Sequence, residues 1–183
     1  NIIPKNNEIE GSVRTFGSFA SRFGGVQVFF VAKFDQPFSD YGIWDGQKLD
    51  KKVLSKKSDS LKIYLRFAPE SINAKVGISY VSIENARLNL ETEAGPFNFA
   101  EILQMAKDKW ERKLALIKIE GGSLEEKKVF YSALYRSFQM PTIFNDLNGE
   151  YKGFDKKIHQ TTDFNYYTDL SLWDTFRTVH PLF

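Results

Sequence analysis

The sequence is marked first by what it does not contain. None of its 183 residues is a cysteine, and this excludes disulfide bridges, thiolate zinc sites and cysteine nucleophiles. It has no uninterrupted run of about 18 apolar residues, the length that a membrane-spanning helix requires, so no segment is expected to cross a membrane.

An excess of charge of one sign is also missing. The 25 Lys and Arg residues stand against 23 Asp and Glu residues, for a net charge of +2. This balance gives no electrostatic reason to expect a nucleic acid or an anionic membrane as partner.

The two histidines, His159 and His180, lie outside any HExxH pattern and are interpreted as structural. The chain begins with Asn rather than Met and shows no signal peptide, so we expect it to be processed, trimmed or cut from a longer chain.

Apolar material, in contrast, is plentiful in the sequence. Hydrophobic residues make up 42% of it, and 17 residues are Phe, so a folded chain with a sizeable core is expected. Apolar and polar residues alternate with a period of two along four stretches of the N-terminal part: residues 9–15, 26–34, 61–67 and 72–80. This alternation predicts half-buried antiparallel strands, forming part of a β-sandwich.

A helical pattern replaces the alternation at Ser82. Ser82 is predicted to cap a helix that runs through Leu90 and is broken at Gly95–Pro96. A second helix is predicted from about Phe97 to Leu114, followed by a short strand-like piece at residues 116–119.

Another helix start is marked by a capping box. Ser123 and Glu126 have the spacing at which each side chain binds the other residue's backbone amide. The helix is predicted to continue until Pro141. Strands followed by helices, without βαβ alternation, predict an all-β part joined to an all-α part.

One short motif resembles the start of a calcium loop, at residues 146–150 (DLNGE). An EF-hand loop requires glycine at its sixth position, whereas Gly149 stands at the fourth. The match fails, and Asn148–Gly149 is interpreted as a turn in which glycine supplies a positive φ.

The C-terminal stretch NYYTDLSLWDTFRTVHPLF, residues 165–183, allows two interpretations. In the first it is a helix packed into a core: Ser171 and Asp174 form a reduced capping box, and Asp174 can pair with Arg177 three residues on. The buried stripe would then be Leu172, Phe176 and Val179, and the neighbouring face Trp173, Arg177 and His180. In the second interpretation the aromatic and polar side chains form the wall of a ligand site.

Several segments together resemble glycoside hydrolase family 92, a family of exo-acting, calcium-dependent, inverting α-mannosidases. SIENARLNL (82–90) resembles the family's S-x-E-x-A-x-x-N-L helix, and VFFVAKFDQPF (28–38) resembles its YFVAEFSKPF strand. FYSALYRSFQMP (130–141) is similar to FYTALYHSLLAP, and NDLNGEYKGFD (145–155) is similar to DVDGRYRGLD. NYYTDLSLWDTFRTVHPL (165–182) is similar to YYTTFSLWDTYRALHPL. These segments follow one another in order along nearly the whole chain.

The resemblance implies a multidomain fold, β then α. Residues 1–83 would be the C-terminal part of an N-terminal β-sandwich, residues 84–121 a helical linker, and residues 122–183 the first helices of an (α/α)6 catalytic barrel. The general acid, the general base and the calcium ligands would lie later in the barrel, in the remainder of the parent chain. No catalytic or metal-binding residue is therefore assigned here, and the chain alone is expected to be inactive. The family also implies a periplasmic or secreted protein.

The resemblance further implies a substrate-binding role for three residues, with a mannose-containing glycan as substrate. Asp174 would accept hydrogen bonds from adjacent sugar hydroxyls, Trp173 would form a wall or platform for the sugar ring, and Arg177 would orient Asp174. His180 is a weaker candidate. Asn145, Asp146 and Asn148 lie where they would edge the pocket, although a turn explains them better.

Two other functions stay open from the residues alone. One is a carbohydrate-binding β-sandwich module without catalysis, with Tyr64 and Phe29 in its aromatic platform. The other is a purely structural or protein-interacting fragment. A half-sandwich and short helices without neighbours also predict that the isolated chain is poorly folded or associates.

Overall fold

The structure is a computed structural model, and it describes residues 1–17, 20–95, 98–177 and 179–182. The chain forms two compact units. The first contains Asn1–Phe97 and Asp146–Gln160, and the second contains Asn98–Asn145 and Thr161–Phe183. The predicted domain boundaries after residues 83 and 121 stay predictions.

Eleven strands, five α-helices and two short 3-10 helices (Pro4–Asn6 and Ala20–Phe23) follow one another in the described residues. The first seven strands are β1 (Ile2–Ile3), β2 (Glu8–Thr15), β3 (Val26–Phe34), β4 (Phe38–Asp45), β5 (Lys48–Lys51), β6 (Leu61–Phe67) and β7 (Ala74–Ser79). The remaining elements are α1 (Ile83–Ala94), α2 (Phe99–Leu114), α3 (Leu124–Ser137), β8 (Thr142–Ile143), β9 (Glu150–Lys152), β10 (Ile158–Gln160), β11 (Tyr167–Thr168), α4 (Leu172–Thr175) and α5 (Val179–Leu182). None of the described helices is both long enough and apolar enough to cross a membrane.

The first unit contains two open antiparallel sheets. Four strands pair in the order β1–β2–β3–β7, and three pair in the order β5–β4–β6. Their facing side chains form a core around buried Ile2, Phe38 and Ile43, joined by half-buried side chains such as Ile9 and Phe67. This arrangement confirms the predicted antiparallel strands of a sandwich. The expected half-sandwich without a facing sheet was wrong, because the two sheets share this core.

The opposite face of the four-stranded sheet is covered by helix α1. Val31 is fully buried and packs with Ala86 and Leu90 of this helix. The helix backbone approaches β7 closely because Gly77 has no side chain; an added Cβ would lie 2.6 Å from the Cβ of Leu90. Helix α1 therefore has a fixed position on the sheet.

An ion network also ties α1 to the sheet. The carboxylate of Glu8 is fully buried and accepts a hydrogen bond of 2.6 Å from Arg87 Nη1. Arg87 Nη2 donates to Glu10 at 2.6 Å, and Lys33 Nζ lies 3.6 Å from Glu8 and 2.6 Å from Glu91. Because a buried carboxylate without partners is costly, these cations fix the register between helix and strands.

The second unit is helical and has little buried apolar surface in its described ranges. The rings of Trp110 on α2 and Tyr135 on α3 lie 4.4 Å apart, and Leu134 is buried. Other apolar side chains of these helices are exposed, among them Phe99 at 71% and Val129 at 71%.

The predicted helix starts are confirmed by their hydrogen bonds. Ser82 Oγ accepts from the amide of Asn85 at 3.0 Å. Ser123 and Glu126 form the complete capping box, with Ser123 N donating to Glu126 Oε2 at 2.7 Å. The predicted break at Gly95–Pro96 and start at Phe97 fall partly on Pro96 and Phe97, which lie outside the described residues.

Three predictions of secondary structure were wrong or incomplete. Residues 116–119 form a turn and coil rather than a strand-like piece, because they continue directly from the C-terminus of α2, where Leu116 N binds Lys113 O. Strands β4 and β5 were missed, since their alternation is short and interrupted by a bulge between Phe38 and Asp40. The single helix predicted for 171–180 is two one-turn helices, α4 and α5.

Candidate functional site

A short strand ladder leads the chain into the candidate site. Strands β8 and β11 pair antiparallel in the second unit. The ladder is extended by Phe144 N donating to Tyr166 O at 2.8 Å and by Tyr166 N donating to Asn145 Oδ1 at 2.8 Å. Asn145 therefore stabilises the ladder that precedes Ser171.

Ser171 starts helix α4, but it does not cap it as predicted. No side-chain capping hydrogen bond forms; instead the Ser171 hydroxyl donates to the carboxylate of Asp174. In the capping box the Glu126 carboxylate accepts from both the hydroxyl and the backbone amide of Ser123. The Asp174 carboxylate, which is one methylene shorter, accepts from the Ser171 hydroxyl through Oδ2.

Two of the three residues of the predicted buried stripe are exposed, and the third, Val179, is half-buried, so the predicted stripe was wrong. Leu172 is 67% and Phe176 is 62% exposed, and Trp173 is 88% exposed. A buried stripe requires several helical turns that present the same face, whereas α4 has a single turn. The indole of Trp173 and the next residue, Asp174, are both exposed.

Thr175 links the two short helices. Its hydroxyl donates to Ser171 O at 2.9 Å and lies 3.0 Å from His180 Nε2. Because the single hydroxyl proton is used on Ser171, His180 Nε2 must be the donor in the second contact. His180 is thereby oriented toward Thr175.

Arg177 has a contact that the sequence did not predict. Its guanidinium carbon lies 5.4 Å from the ring centroid of Phe176, within the range of a cation–π interaction. The predicted pairing of Arg177 with Asp174 stays a prediction.

Asp146 lies in the first unit and has a structural role. It is 6% exposed, and its Oδ2 accepts from Ser79 Oγ at 2.6 Å and from Asn85 Nδ2 at 2.8 Å. Its Oδ1 accepts from Asn89 Nδ2 at 2.7 Å. The turn interpretation is supported, since Gly149 has a φ of 84° and its amide donates to Asp146 O at 2.8 Å.

The same cluster holds Asn148 and Glu150. Asn85 Nδ2 and Asn148 Nδ2 donate to Glu150 Oε2 at 2.8 Å and 3.0 Å, and these hydrogen bonds lower the pKa of Glu150. Sequence reasoning missed Asn85 and Asn89 as partners. The available signal was the spacing of Asn85 and Asn89, which are four residues apart and therefore place two amides on one side of α1.

Two further expectations concern aromatic residues and metal ligands. Phe29 lies in β3 of the four-stranded sheet and Tyr64 in β6 of the three-stranded sheet, so they do not form one platform. Within residues 1–17, 20–95, 98–177 and 179–182, no group of three or more His, Asp or Glu side chains has an arrangement that would hold a metal ion.

Comparison with known families places the chain among the glycoside hydrolases. Residues 1–79 match the glycosyl hydrolase family 92 N-terminal domain, and residues 85–183 match the glycosyl hydrolase family 92 catalytic domain. The second match alone covers more than half of the chain. The chain belongs to glycosyl hydrolase family 92.

Solved structures of this family resemble most or all of the chain. A family 92 inverting mannosidase from Bacteroides thetaiotaomicron is 29% identical, with a TM-score of 0.89 over 100% of this chain and 25% of its own. A family 92 α-mannosidase from the same organism is 28% identical, with a TM-score of 0.74 over 87% of this chain and 23% of its own. The chain spans about a quarter of the length of these relatives.

A relative of known sequence is also similar. An uncharacterized secreted glycosidase from Arthroderma benhamiae is 31% identical over 96 residues, which are 48% of this chain and 12% of the relative.

Proposed function

We propose that the chain is part of an exo-acting α-mannosidase that hydrolyses terminal α-mannosidic bonds with inversion. The observation that carries this proposal is the similarity to the inverting mannosidase, which extends over the whole of this chain with a TM-score of 0.89. Inverting hydrolysis uses one carboxylic acid to protonate the leaving oxygen and one carboxylate to activate water. We assign neither role to a residue of this chain, and place both in the remainder of the enzyme.

The contribution of this chain is to hold the terminal mannose. Asp174 is exposed and engages Ser171 through Oδ2; among described residues no hydrogen bond is formed by its Oδ1, which is available to accept from sugar hydroxyls. Trp173 exposes 88% of its surface, enough for its ring face to stack on the C–H side of the sugar. Arg177 is proposed to orient the Asp174 carboxylate when the sugar is bound.

Replacing Asp174 tests this assignment in the complete enzyme that contains the chain. Asp174→Asn keeps the size of the side chain but removes the charge that strengthens hydrogen bonds from the sugar. Hydrogen bonds to a charged group contribute about 1.5–3 kcal/mol, so kcat/KM on α-linked mannobiose should fall by roughly 10- to 150-fold.

Leu172→Ala is the matched control. Leu172 lies on the same helical turn and is 67% exposed, but it has no polar group for a sugar. It should keep kcat/KM within about twofold of the parent. An Asp174→Asn enzyme with unchanged kcat/KM would remove the proposed role of the carboxylate.

Calcium dependence is proposed for the complete enzyme, with ligands outside the described residues. A chelator should abolish hydrolysis of α-linked mannobiose, and added calcium should restore it. Full activity in the chelator would refute calcium dependence while leaving the glycosidase assignment intact. The 183-residue chain alone is expected to show no hydrolysis in the same assay.

The cellular location and substrate follow from the same proposal. A mannosidase that degrades mannose-containing N-glycans meets them outside the cytoplasm, so we propose a periplasmic or secreted enzyme. The name of the Arthroderma relative, a secreted glycosidase, supports this location.

A further inference from the structure

The outer face of the three-stranded sheet β5–β4–β6 combines aromatic and charged side chains. On β4, Ile43 points into the core and is 2% exposed, whereas its neighbour Trp44 points outward and is 37% exposed. Cross-strand partners share a face in an antiparallel sheet. Lys62 pairs with Trp44, and Tyr64 pairs with Gly42, so these side chains stand together on the outer surface.

Tyr64 lies across the strand rather than away from it. A Cβ placed on Gly42 would lie 2.6 Å from Cε1 and 3.2 Å from Cζ of the Tyr64 ring. The ring therefore covers Gly42, a position where any other residue would displace it. The Tyr64 hydroxyl donates to Asp40 Oδ2 at 3.2 Å, which fixes the ring at both ends.

Polar groups flank the two aromatic residues. Asp40 pairs with Arg66 across β4 and β6, at the end of the face beyond Tyr64. Arg66 is exposed, and Lys62 is exposed at the other end beside Trp44. The face thus presents an indole and a phenol ring between two cations, with one carboxylate beside the phenol.

We propose that this face is a carbohydrate-binding surface that holds an uncharged oligosaccharide along Trp44 and Tyr64. A sugar ring has one face of C–H groups, which an aromatic π face attracts, and a rim of hydroxyls. Arg66 and Lys62 are donors for hydroxyl oxygens, and Asp40 is an acceptor for hydroxyl protons. Acidic ligands are not required, because the face carries both signs of charge.

This surface extends the proposed function, since it would keep a glycan bound without itself reacting with it. The geometry does not depend on the mannosidase assignment, but the choice of a mannose oligosaccharide as probe rests on it. The probe is α-linked mannotriose. One flat aromatic surface with few polar contacts gives weak binding, with a Kd on the order of 1 mM.

Fluorine NMR tests the proposal on the complete enzyme that contains the chain, because the 183-residue chain alone is expected to associate. The enzyme is labelled with 5-fluorotryptophan and kept in a chelator, in which no hydrolysis of mannotriose is expected. The resonance of Trp44 is identified by its loss in Trp44→Phe, and titration with mannotriose should shift it in a saturable way. Because the Trp44 resonance is followed separately from that of Trp173, its shift reports on this surface rather than on the proposed terminal-mannose site.

Two substitutions at the surface should weaken binding. Tyr64→Ala removes a stacking ring and should raise the Kd by about tenfold. Arg66→Ala changes an exposed side chain without a buried packing role and should raise it by about threefold or more, which keeps the test valid if Tyr64→Ala does not fold. Asp174→Asn is the control and should leave the Trp44 titration unchanged.

The results separate this surface from the proposed function. The proposed binding surface is refuted by the absence of a saturable change at Trp44, or by an Arg66→Ala variant that binds mannotriose as tightly as the parent. Neither result bears on the mannosidase proposal, which the hydrolysis assay tests separately. Binding that Asp174→Asn abolishes and Arg66→Ala does not would assign the mannotriose to the terminal-sugar site instead.

Discussion

Gly77→Ala gives a direct test of how helix α1 packs on the sheet. The added methyl group would lie 2.6 Å from Leu90 Cβ and 3.0 Å from Leu90 N. Carbon atoms in contact prefer separations of about 3.5–4.0 Å, so helix and strand would have to separate by roughly 1 Å. This shift would also loosen the packing of fully buried Val31 against Ala86.

Two opposing terms set the magnitude. Alanine has less conformational freedom than glycine in the unfolded chain, and this stabilises the fold by about 0.4–1 kcal/mol where the backbone conformation is compatible. Overpacking a filled core costs about 1–3 kcal/mol. The steric cost exceeds the entropic gain, and we expect a net loss of roughly 1–2 kcal/mol in the first unit.

Hydrogen exchange of the amides in β7 and α1 measures this loss locally. Exchange in the Gly77→Ala chain should be faster by about 5- to 30-fold. Gly17→Ala is the matched control, because a Cβ at Gly17 meets nothing within 4 Å and the backbone there has no positive φ. Gly17→Ala should exchange at or slightly below the parent rate. Equal protection of α1 in both variants would refute the close-packing argument.

Three further predictions concern other parts of the chain. Asp146→Ala leaves buried hydrogen-bond donors without their acceptor, and should cost about 2–4 kcal/mol in the stability of the first unit, measured by urea unfolding. Lys56→Met removes a cation that lies 3.0 Å from Asp45 and 2.7 Å from Asp50 and lowers the pKa of both carboxyls. The stabilisation by the ion pairs of Lys56 with Asp45 and Asp50 is fully present above the ordinary carboxyl pKa of roughly 4. It is lost as the pH falls through the lowered pKa values of these two carboxyls. Lys56→Met should therefore speed amide exchange around residues 52–60 at pH 7 and have no effect near pH 2. Exposed apolar residues of the second unit, such as Phe99, should make the 183-residue chain bind a hydrophobic dye and associate on concentration.

Each of these three predictions would be contradicted by a specific result. Asp146→Ala with parent stability would show that water replaces the carboxylate without loss. An effect of Lys56→Met that persists at pH 2 would mean that packing of the lysine stem, rather than its charge, holds the loop. A sharp, reversible and monomeric melting transition of the whole chain would contradict the association prediction.

Local sequence determined the elements whose causes lie within a few residues. The alternation in residues 26–34 and 61–67 set strands β3 and β6 with the bounds that the structure shows. The caps at Ser82 and Ser123 were readable because the capping side chain and the amide it binds are three residues apart. The same reasoning failed at Ser171, whose hydroxyl donates to the Asp174 carboxylate and forms no capping hydrogen bond with a backbone amide.

Tertiary structure alone decided which residues are brought together. Asp146 binds Asn85 and Asn89, which are 61 and 57 residues away, and no local pattern indicates such a pairing. Trp44 is recognised as part of a candidate binding surface only because β6 places Tyr64 and Lys62 on the same face of the sheet. Burial also depends on the partner that arrives from elsewhere in the chain: Val31 is covered by α1, whereas the apolar residues beside Trp173 are exposed. Periodicity determines which side chains share a face of a strand or helix, and packing between distant segments determines what that face meets.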